Sequence, residues 1–250
     1  HFPIMDIEGK DAERMLEYLS LAKVGGDTPE GRMIYTNFLD EDGGVHADLT
    51  ISRIGKDRYR LVTGGADGNR DWVTLRNYRD DNGLDAEIKI RTHDIATLGL
   101  WGPQAKNALG NFIDPTEITI ENFPFAAAKN LTLNLSEGKK IDVWASRISY
   151  VGESGWEIYL NNDSEEGLAL YDSLLEVGVV PVGIETYANS RRLEKSFRLQ
   201  GADLETEYNA CESAIERRLV KEADFHGKAA HLAHREEEPC AMLCTMTIDD

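Results

Sequence analysis

The stretch Arg147-Ile148-Ser149-Tyr150-Val151-Gly152-Glu153-Ser154-Gly155-Trp156-Glu157-Ile158-Tyr159-Leu160 decides how this chain is read. It has the pattern of two half-buried strands joined by a turn. Gly152 and Gly155 let the backbone adopt positive φ there or approach a ligand closely. Successive side chains of a strand point to opposite faces, so Trp156 and Ile158 share one face and Glu157 and Tyr159 the other. A Glu157 carboxylate directed into a pocket needs a partner with two hydrogen-bond donors side by side, which its two oxygens accept together. The plain alternative is a surface glutamate.

The pattern has an echo earlier in the chain. Asp48-Leu49-Thr50-Ile51-Ser52-Arg53-Ile54 precedes Tyr59-Arg60-Leu61-Val62, as Asp142 to Tyr150 precedes Trp156 to Leu160, and both first strands contain Ser-Arg-Ile. Each pair is preceded by a strand, turn and helix. Ile4 to Gly9 leads into a helix from Asp11 to Leu21 carrying Met15, Leu16 and Leu19. Ala96 to Pro103 leads into one carrying Ala105, Ala108, Leu109 and Phe112. Both turns read Gly-x-x-Ala-x-x-x-Leu, from Gly9 and from Gly102. A duplicated α+β lobe explains the echo; chance recurrence of a common unit is its rival.

Asp48 is the second candidate site residue. It follows the Gly43-Gly44 turn and is expected to open a strand whose other residues are core, which puts it at a strand end near the rim of a cavity. A fixed carboxylate there stabilises a cationic nitrogen, or relays a proton, better than one in bulk water. An ordinary turn aspartate is the alternative.

Further helices are expected from Ser164 to Val177, with Ser164 as N-cap and Leu168, Leu170, Tyr171, Leu174 and Leu175 as a core face, and from Ala188 to Ser196. The run His234 to Pro239 reads as a connection, and Ala241 to Cys244 as apolar and strand-like. With no initiator Met at His1, the chain reads as an excised piece of a longer protein. The 45 acidic against 27 basic residues, a formal charge of -18, repel nucleic acid, and no stretch has the length and apolarity of a membrane span. Cys211, Cys240 and Cys244 form neither a disulfide framework nor a Cys-x-x-Cys hook, so no metal is expected and a reducing, cytoplasmic setting is.

Four elements occur together in order: Gly43-Gly44-x-x-x-Asp48-Leu49-Thr50, Tyr150-x-Gly152-Glu153-x-Gly155-Trp156-Glu157, Arg192-Leu193-Glu194-Lys195, and Lys221 to Lys228 with Phe225-His226-Gly227. In this the chain resembles the glycine-cleavage T-protein (aminomethyltransferase) family, most closely the folate-binding halves of dimethylglycine and sarcosine dehydrogenases. The resemblance implies an α+β fold of two related lobes. Residues 1–233 would form the folate-binding domain, and residues 234–250 a connection and the start of a C-terminal barrel lobe otherwise missing here. It implies tetrahydrofolate as cofactor, with Asp48 matching a catalytic aspartate beside the reactive folate nitrogens. Tyr150 would line the folate site and Glu157 hold the pterin, whose ring N–H and amino group form the donor fork a carboxylate accepts.

The implied activity is tetrahydrofolate-dependent transfer of an aminomethyl or methyl group from a methylated amine or amino acid. A flavin oxidoreductase domain or subunit is an expected partner. It must lie outside this chain, which lacks a Gly-x-Gly-x-x-Gly turn between strand and helix. Two departures weigh against a strict glycine-cleavage role. Thr63-Gly64-Gly65-Ala66 stands where T-proteins read Val-Asn-Ser-Ala, and Tyr187-Ala188-Asn189-Ser190 lacks the arginine of Ala-Arg-Asp-Thr. Arg191 and Arg192 are expected in structural pairs with Glu194 or Glu185 rather than on a ligand. Rival readings are a folate-binding accessory protein of iron–sulfur assembly, whose Lys-Gly-Cys-Tyr-x-Gly-Gln-Glu signature is absent from Leu219 to Gly227, and an inert oligomerisation domain.

Overall fold

A computed structural model of the protein describes residues 2–162, 164–215 and 220–248. The fold is α+β with two sheets, in two compact units. The first, here the β1 unit, comprises Phe2–Glu30, Ile34–Ile90 and the chain from Arg198 onward; the second, the β6 unit, comprises Gly31–Met33 and Arg91–Phe197.

In the β1 unit, β1 (Ile4–Glu8) leads into α1 (Ala12–Leu19), followed by β2 (Met33–Leu39), β3 (Val45–Gly55), β4 (Arg58–Thr63), α2 (Gly68–Asp81) and β5 (Glu87–Ile90). The sheet order is β2-β3-β4-β1-β5. In the β6 unit, β6 (Ile95–Trp101) leads into α3 (Ala105–Leu109), then β7 (Ala128–Asn134), β8 (Lys140–Ser146), β9 (Gly155–Asn161) and α4 (Ser164–Glu176). Its order is β7-β8-β9-β6, that of the first four strands of the other sheet. The sequence echo is thus matched by a topological one.

The cores follow the helical and strand periodicities. Ala12, Met15, Leu16 and Leu19 of α1 are buried with Met5, Ile7, Ile51, Tyr59 and Leu61 of the sheet. Each large aliphatic side chain so buried contributes about 1.5–3 kcal/mol. In the other unit Leu100, Leu109, Phe112, Val143, Trp156 and Ile158 play the same part. The expected core face of α4 is narrower than its apolar residues suggest. Leu170 and Leu174 are buried, whereas Leu168 is 60% exposed and Tyr171 and Leu175 are also exposed, because only an i, i+4 stripe meets the sheet. The Ser164 side chain, expected as the N-cap, lies outside the described residues.

The segment after α4 forms a π-helical turn, Thr186–Arg191, that runs into α5 (Arg192–Glu194), in place of one regular helix from Ala188 to Ser196. The final helix, α6 (Lys228–Glu236), includes His234, Arg235 and Glu236, so the first three residues of the run read as a connection are helical. Ala241 to Cys244 forms no strand, although the Leu243 N–H bonds to the Glu212 carbonyl, and Cys240 and Cys244 are exposed. Among the described residues no helix is long and apolar enough to cross a membrane.

Candidate functional site

Glu157 lies on β9, and both faces of this strand are covered. Trp156, Ile158 and Leu160 enter the core, as the alternation predicts. On the other face Glu157 is only 8% exposed and Tyr159 is buried. The reason is aromatic cover. Trp144 packs on Tyr159 with ring centroids 4.9 Å apart, Trp101 stacks on Tyr187 at 5.3 Å, and Tyr150 meets Tyr187 at 5.5 Å and Phe197 at 6.0 Å. A surface glutamate is therefore the wrong description of Glu157.

The Tyr159 hydroxyl donates a hydrogen bond to Oε2 of Glu157. Burial raises the pKa of Glu157, an effect opposed by the hydrogen bond from Tyr159, and no salt bridge among the described residues reaches it. Burial likewise raises the pKa values of Tyr159 and Tyr187, and the Glu157 charge adds to both. A carboxylate has more acceptor capacity than one tyrosine fills.

The duplicated topology supplies an internal control. Ser52 pairs with Arg60 across β3 and β4, and Asp6 with Arg60 across β1 and β4. The equivalent registers in the other sheet place Ser146 and Gly99 opposite Glu157. In the β1 unit the central position is an arginine held by Asp6 at 2.7 and 2.9 Å, a bidentate buried pair. In the β6 unit the same position is a carboxylate, and its opposite number has no side chain. Structural need alone does not call for a charge there without a counter-charge, since burying an unpaired charge is costly.

The turn before β9 is built as its glycines suggest. Gly152 has φ 73°, and a β-carbon on Gly155 would come within 2.0 Å of the Leu100 carbonyl oxygen. The nearby arginines are structural. Arg191 pairs with Glu194 at 2.8 Å and with Glu153, while Glu185 instead bonds Asn189; Arg192 donates to the carbonyls of Ala188 and Phe197 at 2.7 and 3.2 Å.

Asp48 lies in the β1 unit. It does not open its strand: β3 begins at Val45, whose N–H bonds to the Tyr208 carbonyl, so Asp48 stands inside the ladder. The turn aspartate is Asp40, whose Oδ1 accepts from the N–H groups of Asp42 and Gly44 at 3.0 and 2.8 Å. Asp48 instead accepts from the side chains of Asn37, at 2.9 Å, and Tyr35. As a residue it is half-buried, but its carboxyl sits among protein atoms. Desolvation raises its pKa to about 6, opposed by these two hydrogen bonds and assisted by the charges of Asp67 and Asp71. Fully buried Asn37 also donates to the Ala47 carbonyl, at 3.3 Å, while its Oδ1 has no donor among the described residues.

The remaining motifs are structural. Thr63 donates to Asp71, and Asp67 and Asp71 both meet Arg70, so the Thr63-Gly64-Gly65-Ala66 turn is fixed by its own helix. Lys221 buries its ammonium against the carbonyls of Glu17 and Ser20, the latter at 2.6 Å, and with Lys228 it flanks the ring of Phe225. This latches the returning chain onto α1. No group of three or more His, Cys, Asp or Glu among the described residues could hold a metal. Sequence reasoning missed Trp101, Tyr187 and Asn37. The one available signal was the strand alternation that puts Trp101 on the same face as Gly99, opposite Glu157.

The family profile described as the GCVT N-terminal domain matches residues 1–222. Human mitochondrial dimethylglycine dehydrogenase is 34% identical over 241 residues, and its mouse counterpart 33% over 244; each alignment covers 92% of this chain and 26% of the relative. The chain thus spans about a quarter of the length of these relatives. The crystal structure of the glycine cleavage system aminomethyltransferase T from Bartonella henselae superposes with a TM-score of 0.78 at 24% identity, over 96% of this chain and 62% of that one, which shows a shared fold. With the profile match spanning most of its length, the chain belongs to the family of the GCVT N-terminal domain.

Proposed function

We propose that this chain is the tetrahydrofolate-binding part of a one-carbon transferase that takes an aminomethyl or methyl group from a methylated amine or amino acid. The observation that carries the reading is Glu157: a carboxylate 8% exposed, hydrogen-bonded by Tyr159, reached by no salt bridge among the described residues, and set among aromatic rings. A pterin meets that description of a partner, being flat, uncharged and equipped with a two-donor edge. Such a ligand would explain why a charge stands where the sister unit holds an internally paired arginine.

Tetrahydrofolate, when bound, accepts the one-carbon unit on a ring nitrogen. In this proposal Glu157 orients the pterin by its donor edge and Tyr150 lines the site. Asp48, with a pKa near 6, is ionised at neutral pH and can take up a proton or stabilise a cationic nitrogen. Beside Asp48, the Asn37 Oδ1 has no donor among the described residues, which suits a ligand bearing N–H groups.

A second reading is favoured by the likeness to dimethylglycine dehydrogenases: the chain would be the folate-binding portion of a flavin-linked dehydrogenase of methylated amines. The two readings share the folate site and differ in what supplies the one-carbon unit. Isothermal titration of the full-length gene product with tetrahydrofolate tests both, and absence of saturable binding at millimolar ligand rejects both. A flavin absorbance spectrum in the same purified protein selects the second.

A further inference from the structure

Position 99 shows why the β6 unit differs from its sister. A β-carbon there would lie 2.1 Å from two carbons of the Trp101 six-membered ring and 3.0 Å from a third. The six-membered ring of Trp101 therefore packs directly against Gly99, on the face of the strand that also carries Glu157, because Gly99 and Glu157 are direct cross-strand partners. In the β1 unit the register equivalent of Gly99 is Asp6, whose side chain fills that place and neutralises Arg60. The β6 unit has exchanged a charged partner for an aromatic plane.

The plane is held on two further sides. Nε1 of Trp101 donates to the Ile148 carbonyl at 2.8 Å, which fixes the ring, and Tyr187 stacks on it at 5.3 Å with an interplanar angle of 27°. Tyr187 is close enough to Glu157 for that charge to raise the pKa of its hydroxyl. Gly99 itself stays exposed and Trp101 half-exposed, so the indole does not close this edge of the sheet to solvent.

We propose that Gly99, Trp101 and Tyr187 form an aromatic wall beside Glu157 that selects a flat heterocycle bearing a two-donor edge. Glu157 reads the edge of the ring and Trp101 its breadth. This rests on the folate reading above and adds the residues that set ring selectivity.

The test uses the full-length protein and measures tetrahydrofolate affinity by titration, with the quench of tryptophan fluorescence followed alongside and folding checked by thermal melting. Stacking of one heterocycle on one aromatic side chain corresponds to roughly fivefold to a hundredfold in affinity. Trp101→Ala is expected to lose that much, and Gly99→Ala a comparable amount by tilting the indole away. Trp101→Phe should recover most of the affinity, because it restores an aromatic face at that position. If Gly99→Ala fails to fold, the pair Gly99→Ala/Trp101→Ala, in which the clash is gone, should fold and still bind weakly. Wild-type affinity in both Trp101→Ala and the pair overturns the wall while Glu157→Gln still weakens binding. No binding by the unaltered protein overturns the folate reading and the wall with it.

Discussion

The side-chain amide of Asn37 donates to Oδ1 of Asp48 at 2.9 Å, from a β2 residue with no exposed surface to a half-buried β3 carboxylate. The relationship fixes what Asp48 can be. Its hydrogen bonds come from side chains, those of Asn37 and Tyr35, and the turn-forming role belongs to Asp40. What surrounds it raises its pKa, so ionised Asp48 is a burden to the fold.

Asp48→Asn should therefore be more stable than wild type at pH 7 and less active. Removal of the desolvated charge is expected to raise stability by roughly 1–3 kcal/mol, measured by urea denaturation. Single-turnover methylene transfer should fall by a factor of roughly ten to a thousand with tetrahydrofolate affinity little changed, as for an interaction made chiefly in the transition state. Full turnover in the variant removes the catalytic assignment. A fall in stability removes the electrostatic one.

The same carboxyl predicts a pH dependence of definite sign. Its folded-state pKa, about 6, exceeds the ordinary value of 3.8 that it has once unfolded. Between those values the folded protein holds a proton that the unfolded chain has released. The associated stability is fully present below pH 3.8 and is lost as pH rises through 6. Subtracting the stability–pH curve of Asp48→Asn from that of wild type should leave a decline confined to that window and flat above it. Transfer by wild type should rise along an acid limb centred near pH 6, and a limb that persists unmoved in the variant assigns it to another group.

How far the chain could be read in advance depended on how local the cause was. α1 was legible because Met15, Leu16 and Leu19 state its buried stripe within a few residues, and β9 because Trp156 and Ile158 alternate with Glu157 and Tyr159. The start of β3 was not, since Val45 is recruited by the carbonyl of Tyr208, which no local signal near the Gly43-Gly44 turn announces. The burial of Glu157 depends on Trp101 and Tyr187, from a separate strand and a π-helical turn, so the residue was visible as a candidate and its surroundings were not. Leu168 and Leu175 misled because apolar residues on a helix do not by themselves say how much of it meets a sheet.

Lys221→Met should separate motif from mechanism. The substitution keeps an unbranched side chain one atom shorter but leaves the carbonyls of Glu17 and Ser20 without their ammonium donor. Loss of a buried partner of this kind costs about 1–3 kcal/mol. Denaturant unfolding should register that loss, while turnover per folded molecule and tetrahydrofolate affinity hold. A kinetic defect larger than the stability defect would instead bring the Lys221 to Lys228 segment into the chemistry.

Glu157→Gln tests the pterin anchor directly. The amide has nearly the shape of the carboxylate, so the strand and its aromatic cover should persist, and the variant should be at least as stable as wild type because a desolvated charge is gone. One oxygen acceptor remains, and the Tyr159 hydroxyl competes for it. The new NH₂ meets the donor edge of the ring with donors of its own. Losing one charge-assisted hydrogen bond costs on the order of 1.5–3 kcal/mol, roughly a ten- to hundredfold loss of tetrahydrofolate affinity by titration. Tyr159→Phe is the control. It removes a bond that the ligand does not make and frees the carboxylate oxygen, so affinity should hold within a few fold while the pKa of Glu157 rises further, because the hydrogen bond opposing desolvation is lost. Binding should then fall away at a higher pH in Tyr159→Phe than in wild type as the solution is acidified. Equal affinity in Glu157→Gln and wild type, with both folded, would leave the buried carboxylate as a structural oddity of β9 and remove it from the folate site.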